Sequence, residues 1–536
     1  MNRITEQLRR TAPEIVIATA LFVVALAVRI GLLRHYDLPL MLHEQDAVGY
    51  MNVARSLRNL TVEGLVTRPP GYPAVIAICS LFADNFEAAA RFASILMDAL
   101  VCIPLYALAR RVLSRPGAAL AAICWAFFSY GLFFSMSPLS QSTWLFFLLG
   151  GLSLLAYALD RSGQHHLLLG CSAALFALSY LTRPEGLLGF GFGLVLLAAA
   201  SLCRRVPWQS VLKMCLLYSV VFVLCTAPYF IYLKVQLGSW DVSSKTSAAL
   251  KGQDGMMILN REGTLPTAGS GLAPWLEHYK NITDFLNSSA NNFKQFYNNF
   301  RSVFPGWLYL LALAGVAMLV VSAPWEALLL LILILVTLPN YIVNISKTLS
   351  YLYSVFPLFF ICLMAAVELT GKQIARRLPA IPERIPRTTS LAAVTLLAVW
   401  FSYSSFRTAR DTFNDPGLQN EVALTRHVFM DASRFIRGLA SGKEVIMTRW
   451  GLISYYSGMP TTSLPKGNVD EVLAYGRKNG VSWLLIDSPS VYSRRQELEP
   501  LLKPDAVEAT LNRHGVVPVH AGGVNGLGVY VVYRYQ

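Results

Sequence analysis

A histidine, two carboxylates and a tyrosine crowd into His43-Glu44-Gln45-Asp46-Ala47-Val48-Gly49-Tyr50, and Arg68-Pro69-Pro70-Gly71-Tyr72-Pro73 follows closely. A carboxylate beside a polar surface can take the proton of an attacking hydroxyl. Arginine can stabilise the negative charge that gathers on a departing anion. Asp46 and Glu44 are the two candidate bases, and either can instead cap a surface helix. His43 and Tyr50 can orient a substrate or the base, or simply pack. Arg68 reads as an anion contact or a headgroup anchor, and Lys347 as a cation of the same kind. In Thr182-Arg183-Pro184-Glu185-Gly186, Arg183 and Glu185 either clamp a tight turn or present Arg183 to an anion.

The elements that must position these residues are spans. Of 536 residues, 54% are hydrophobic and 14% charged, against roughly 25% charged in an ordinary soluble domain. Apolar runs of about 20 residues recur, each long enough to cross the hydrocarbon core as a helix, the form that satisfies its own backbone in lipid. The net charge of +14 sits mostly in short turns between spans, where it fixes orientation; it does not indicate a nucleic-acid partner. Cys79, Cys102, Cys124, Cys171, Cys203, Cys215, Cys225 and Cys362 lie in or beside apolar runs without zinc-type or CxxC spacing, so neither structural disulfides nor a bound metal is expected.

Arg3, Arg9 and Arg10 precede the first run, read as a retained span, and place the amino terminus in the cytoplasm. Counting onward predicts about eleven transmembrane helices within residues 1–406, with two large extracytoplasmic loops at 34–87 and 234–302. The turn holding Lys372, Arg376, Arg377, Arg384 and Arg387 then falls on the cytoplasmic side with the other basic turns. Asp46 to Leu60 has the spacing of a helix lying on the membrane surface. In the second loop Phe293, Phe296, Tyr297 and Phe300 share a helical face, an interfacial anchor or a lid. Asp98 stands near the middle of a span, where an ionisable group is costly; it suits a function or a structural pairing with a polar group such as Arg29. From about residue 407 the composition becomes that of a small extracytoplasmic α/β domain. Its strands are expected at Val445–Met447, Trp483–Ile486 and Val529–Tyr533, and its helices at Asn420–Leu439 and Val469–Lys478.

Several short motifs occur in an order that resembles a known family. They are Asp46-x-x-x-Tyr50 with Ala54-Arg55-Ser56-Leu57, Arg68-Pro69-Pro70-Gly71-Tyr72-Pro73, Ala107-Leu108-Ala109-Arg110-Arg111, Leu181 to Gly186, Tyr351-Leu352-Tyr353 before Phe356-Pro357, and Tyr455 to Pro460. The chain is similar to polytopic GT-C glycosyltransferases, above all to the dolichyl-phosphate-mannose protein mannosyltransferase and lipid A aminoarabinose transferase branch. The resemblance implies Asp46 as the catalytic carboxylate, with Glu44 as the alternative acid. The expected substrate-binding set is His43, Tyr50, Arg68, Arg183, Glu185, Lys347 and Tyr351. The sequence departs from the family where Ala47 follows Asp46, where Gln141 stands at the start of a span, and where Ser350 precedes Tyr351.

The resemblance implies transfer of a sugar from a polyprenyl-phosphate carrier to a glycolipid, polysaccharide or protein on the extracytoplasmic face of the cell (inner) membrane. A sugar phosphate already carries a good leaving group, so one base and a few cations suffice, and no cofactor is expected. A flippase of lipid-linked sugars is the alternative. It would concentrate polar groups near the bilayer midplane on repeated, interrupted helices, whereas here they cluster at span ends. An oligosaccharyltransferase of the same broad fold would need a divalent cation, for which Glu44 and Asp46 alone offer few ligands.

Overall fold

The computed structural model describes residues 2–36, 45–66, 68–83, 85–160, 166–203, 207–238, 240, 242, 282–337, 349–377, 382, 384–441, 444–465, 467–524 and 528–536. The chain divides into two compact units, one of residues 1–35, 53–254 and 268–409, the other of 36–52, 255–267 and 410–536.

The first unit is helical. Its elements are α1 (Asn2–His35), the end of α2 (Gln45–Arg58) from residue 53 on, α3 (Gly71–Cys79), α4 (Phe86–Leu100), α5 (Cys102–Ala109), α6 (Arg115–Ala126), α7 (Ser129–Met136) and α8 (Gln141–Asp160). Then come α9 (His166–Thr182), α10 (Gly186–Cys203), α11 (Trp208–Leu237), α12 (Ile282–Arg301), α13 (Gly306–Ser322), α14 (Pro324–Leu335), α15 (Val355–Arg377) and α16 (Arg384–Phe413), which continues into the second unit. By length and composition six stretches can cross a membrane: residues 12–35, 86–109, 141–159, 208–237, 355–377 and 384–420. Two bent pairs join them, α6 with α7 at 50° and α12 with α13 at 107°, as do the shorter apolar helices of residues 166–182, 186–200 and 324–335. The apolar runs expected to span are helical where the structure describes them, those at 91–109 and 118–136 each as two successive helices; residues 338–343 of the run at 327–343 lie outside the described residues. The helix α3 was not anticipated, since the run of prolines before it reads as a turn; Pro70 at its start has the helical φ of −72° that the ring imposes.

Helix contacts rely on small residues, which let backbones approach closely where lipid supplies no hydrophobic drive between helices. A Cβ on Gly315 of α13 would fall 1.9 Å from the carbonyl oxygen of Cys362 on α15. One on Gly193 of α10 would meet the Tyr218 hydroxyl of α11 at 2.3 Å. Aromatic rings fill the centre. Phe128 packs on Phe304 and Phe356, and Phe304 stacks on Phe359 with centroids 4.2 Å apart. The ladder Phe293, Phe296 and Phe300 of α12 runs into this cluster. The basic turns are tied by acids. Glu14 accepts from Arg115 at 2.7 Å, from Arg110 and from the Tyr106 hydroxyl. Arg111 pairs with Glu326 at 3.1 Å. Glu368 accepts from the Ser114 amide at 2.8 Å and pairs with Lys372.

The second unit holds a five-stranded sheet. Strands β1 (Ile446–Met447), β2 (Thr461–Thr462), β3 (Trp483–Asp487), β4 (Val516–Val524) and β5 (Gly528–Tyr535) lie in the order β2-β1-β3-β5-β4. β1 pairs parallel with β2 and β3, while β5 lies antiparallel between β3 and β4. The expected strands around Val445–Met447, Trp483–Ile486 and Val529–Tyr533 are present. β4 was not expected, because Pro518 and two glycines interrupt its pattern. It sits at the sheet edge with a bulge between Pro518 and His520, where a missing N–H is tolerated. The helix Val469–Lys478 begins with a full capping box between Asn468 and Glu471.

Candidate active site

Two of the motifs meet through a glycine. Gly71 opens α3 so close to the end of α9 that an added Cβ would stand 2.4 Å from Thr182 Oγ1 and 2.8 Å from the Leu181 carbonyl oxygen. The α3 backbone is anchored there, because Tyr72 is fully buried and hydrogen-bonds to Ser94 (2.7 Å) and to the Ala90 carbonyl on α4. The half-buried Arg68 thus belongs to a turn held against the turn that follows α9.

That second turn is equally constrained. The Arg183 amide donates to the Ser179 carbonyl, and the Gly186 amide to the Arg183 carbonyl, both at 2.9 Å. A Cβ on Gly186 would lie 2.2 Å from the Tyr180 nitrogen. Arg183 projects from the turn and donates to Glu185 Oε1 at 2.8 Å, the two side chains 15% and 10% exposed. Its guanidinium carbon lies 5.8 Å from the ring centre of Trp144 on α8 and 5.4 Å from that of Tyr351. Tyr351 is carried by a 3-10 turn, Leu349–Leu352, just before α15. Cation–ring contacts of this kind stabilise by about 0.5–2 kcal/mol each, more where water is excluded. Three of the expected substrate-binding residues, Arg183, Glu185 and Tyr351, are therefore brought together. The turn clamp thus fixes the guanidinium between a carboxylate and two rings.

Asp46 lies in the first turn of α2 and is half-buried. Tyr50, buried, follows one helical turn later on the same face. A carboxylate at this helix position is favoured by the macrodipole in its ionised form, the form a base requires. His43, Glu44 and Lys347 lie outside the described residues.

Sequence reasoning left Trp144 out of the site. The available signal was its place one turn into α8, beside the departure at Gln141. Asp98 and Arg29 both have no solvent exposure and form an ion pair, Nε donating to Oδ2 at 2.8 Å, as one of the two readings of Asp98 anticipated.

Comparison with known proteins bears on the fold and on part of the chain. Residues 67–232 match the family model described as dolichyl-phosphate-mannose-protein mannosyltransferase; the match includes Arg68, Asp98, Trp144, Arg183 and Glu185. The fold is similar to the oligosaccharyltransferase AglB from Archaeoglobus fulgidus, solved with an inhibitory peptide and a dolichol-phosphate. That likeness has a TM-score of 0.62 at 12% identity, covering 97% of this chain and 74% of the other. It is also similar to ArnT from Cupriavidus metallidurans, solved apo and bound to undecaprenyl phosphate, with a TM-score of 0.51 at 15% identity and 98% of each chain covered. This is the GT-C fold. No curated protein matches the chain in sequence. The structural likeness carries the fold, and the family model matches less than half of the chain. Together they bear out the resemblance read from the motifs, a polytopic membrane glycosyltransferase.

Proposed function

We propose that the chain transfers a sugar from a polyprenyl-phosphate carrier to a hydroxyl of a glycolipid, polysaccharide or protein at the extracytoplasmic face of the cell membrane. The observation that carries this reading is Arg183, held in the turn after α9 by Glu185, Trp144 and Tyr351, three groups that fix its guanidinium in one place. That dolichol phosphate and undecaprenyl phosphate occupy structures of the same fold supports the donor class.

In the step proposed, the acceptor oxygen attacks the anomeric carbon and its proton passes to the Asp46 carboxylate. The bond between the anomeric carbon and the phosphate oxygen breaks, and its electron pair leaves on the lipid phosphate. Arg183, with Arg68 and Lys347, receives that charge. His43, Tyr50, Glu185 and Tyr351 orient sugar and cations, and Glu44 is the second acid of the loop. Helix α12, bent 107° from α13, lies along the membrane surface if α13 spans it, with Phe293 and Tyr297 half-exposed toward the headgroups.

The test is transfer in proteoliposomes from a panel of radiolabelled polyprenyl-phosphate sugars, wild type against Asp46→Asn. The variant keeps size and loses the base, so turnover is expected to fall by about 10²–10⁴-fold with donor binding retained. Normal transfer by Asp46→Asn would remove Asp46 from the mechanism. Labelled lipid crossing the bilayer with no sugar transferred would replace the enzyme reading by a flippase.

A further inference from the structure

Asp98 ties down the two segments that hold Arg183. Its Oδ2 accepts from Nε and Nη2 of Arg29 on α1, whose Nη1 also donates to the carbonyls of Ala25 (2.9 Å) and Ala126 (3.1 Å). The other oxygen, Oδ1, accepts from Ser142 Oγ at 2.9 Å and from the Tyr353 hydroxyl. The Asp98 carbonyl in turn accepts from Trp125 Nε1 at 3.2 Å. Ser142 stands in the first turn of α8, two residues before Trp144. Tyr353 follows Tyr351 by the same interval. Trp144 and Tyr351 are the two rings against the Arg183 guanidinium.

A buried ion pair is a poor way to gain stability, since well-packed apolar residues of the same volume often do as well or better. What this one supplies is geometry: a single carboxylate oxygen, oriented by the arginine on its partner oxygen, sets the distance between α8 and the segment entering α15. We propose that Asp98 is a positioning residue, fixing Ser142 and Tyr353 and through them the Trp144–Tyr351 pair around Arg183, so that it sets the affinity for the donor's phosphate. The proposal rests on the reading of Arg183 as a phosphate contact.

Tyr353→Phe removes one hydroxyl without changing packing volume and leaves Asp98 bonded to Arg29 and Ser142. Binding of undecaprenyl phosphate to the purified full chain in nanodiscs is the readout, with thermal unfolding as the check on folding. Tyr353→Phe is expected to weaken binding about tenfold, the lower end of what one lost hydrogen bond to a charged group is worth. At saturating donor, kcat is expected to stay within about twofold of wild type, since only donor binding is touched. A merely structural role would instead lower the melting temperature and kcat together and leave the donor affinity of the folded fraction unchanged. Arg183→Gln is expected to abolish most of the affinity, and adding Tyr353→Phe to it to cost nothing further, the non-additivity of residues acting through one contact. If Arg183→Gln binds like wild type, the phosphate reading of Arg183 falls and the proposal with it. If Arg183→Gln loses binding while folded Tyr353→Phe and Ser142→Ala retain it, the positioning role of Asp98 alone is overturned.

Discussion

At the scale of single residues, the chain shows charged groups handled in three ways. Arg183 is kept part-exposed and shared among a carboxylate and two rings. Asp98 is wholly enclosed and matched, each oxygen taken up by partners on other helices. Asp487, at the end of β3, is enclosed and held chiefly by hydrogen bonds, with the charge of Arg449 nearby. Burial pushes its carboxyl above the ordinary 3.8, against hydrogen bonds from Ser490 and from Trp450 Nε1 at 3.1 Å. A carboxyl raised on folding binds its proton more tightly folded than unfolded. Its contribution to stability is then complete below the unfolded value and lost as pH rises through the folded one. Asp487→Asn keeps an acceptor for the Ser490 amide and Trp450 yet cannot ionise. It is expected to melt higher than wild type at pH 7, with the difference closing near pH 4, as followed by thermal unfolding of the full chain. A lower melting point at pH 7 would show that the ionised cap outweighs its burial.

At the scale of elements, the site is placed by close backbone approaches rather than by large side chains. The contact between α3 and α9 exists because Gly71 carries no Cβ, and it sets Arg68 beside the turn of Arg183. The contact between α13 and α15 is tighter still, at Gly315 over the Cys362 carbonyl, and α15 is the helix that Tyr351 and Tyr353 lead into. Gly315→Ala puts a methyl against backbone that cannot rotate aside. It is expected to cost about 1–3 kcal/mol, as overpacking commonly does, read as a lower midpoint in thermal unfolding. A midpoint unchanged from wild type would mean the two helices slide apart freely.

At the scale of the whole molecule, the acids of the helical unit are largely spent on its own cations. Glu14 serves Arg110 and Arg115, Glu87 serves Arg91, Asp98 serves Arg29, Glu185 serves Arg183, Glu326 serves Arg111 and Glu368 serves Lys372. What the unit presents at the proposed site is cationic, which suits charge stabilisation by arginine. Sugar transfer by the purified protein is therefore expected to survive EDTA and to need no added divalent ion; turnover abolished by EDTA and restored by a divalent metal would contradict this.

The sequence alone determined the apolar runs, because lipid-length hydrophobic segments have one way to satisfy their backbone. It determined the strands of the second unit whose alternation is unbroken, and the motifs that bear the family resemblance. It could not show that Arg68-Pro69-Pro70-Gly71 and Leu181 to Gly186 lie against each other, since more than a hundred residues separate them in the chain and only the packing of α3 on α9 joins them. Nor could it choose Arg29 over another partner for Asp98, or add Trp144 to the site. These are settled by which helix faces meet, and helix faces meet according to the shape and small residues of both partners at once, information that no single stretch of sequence contains.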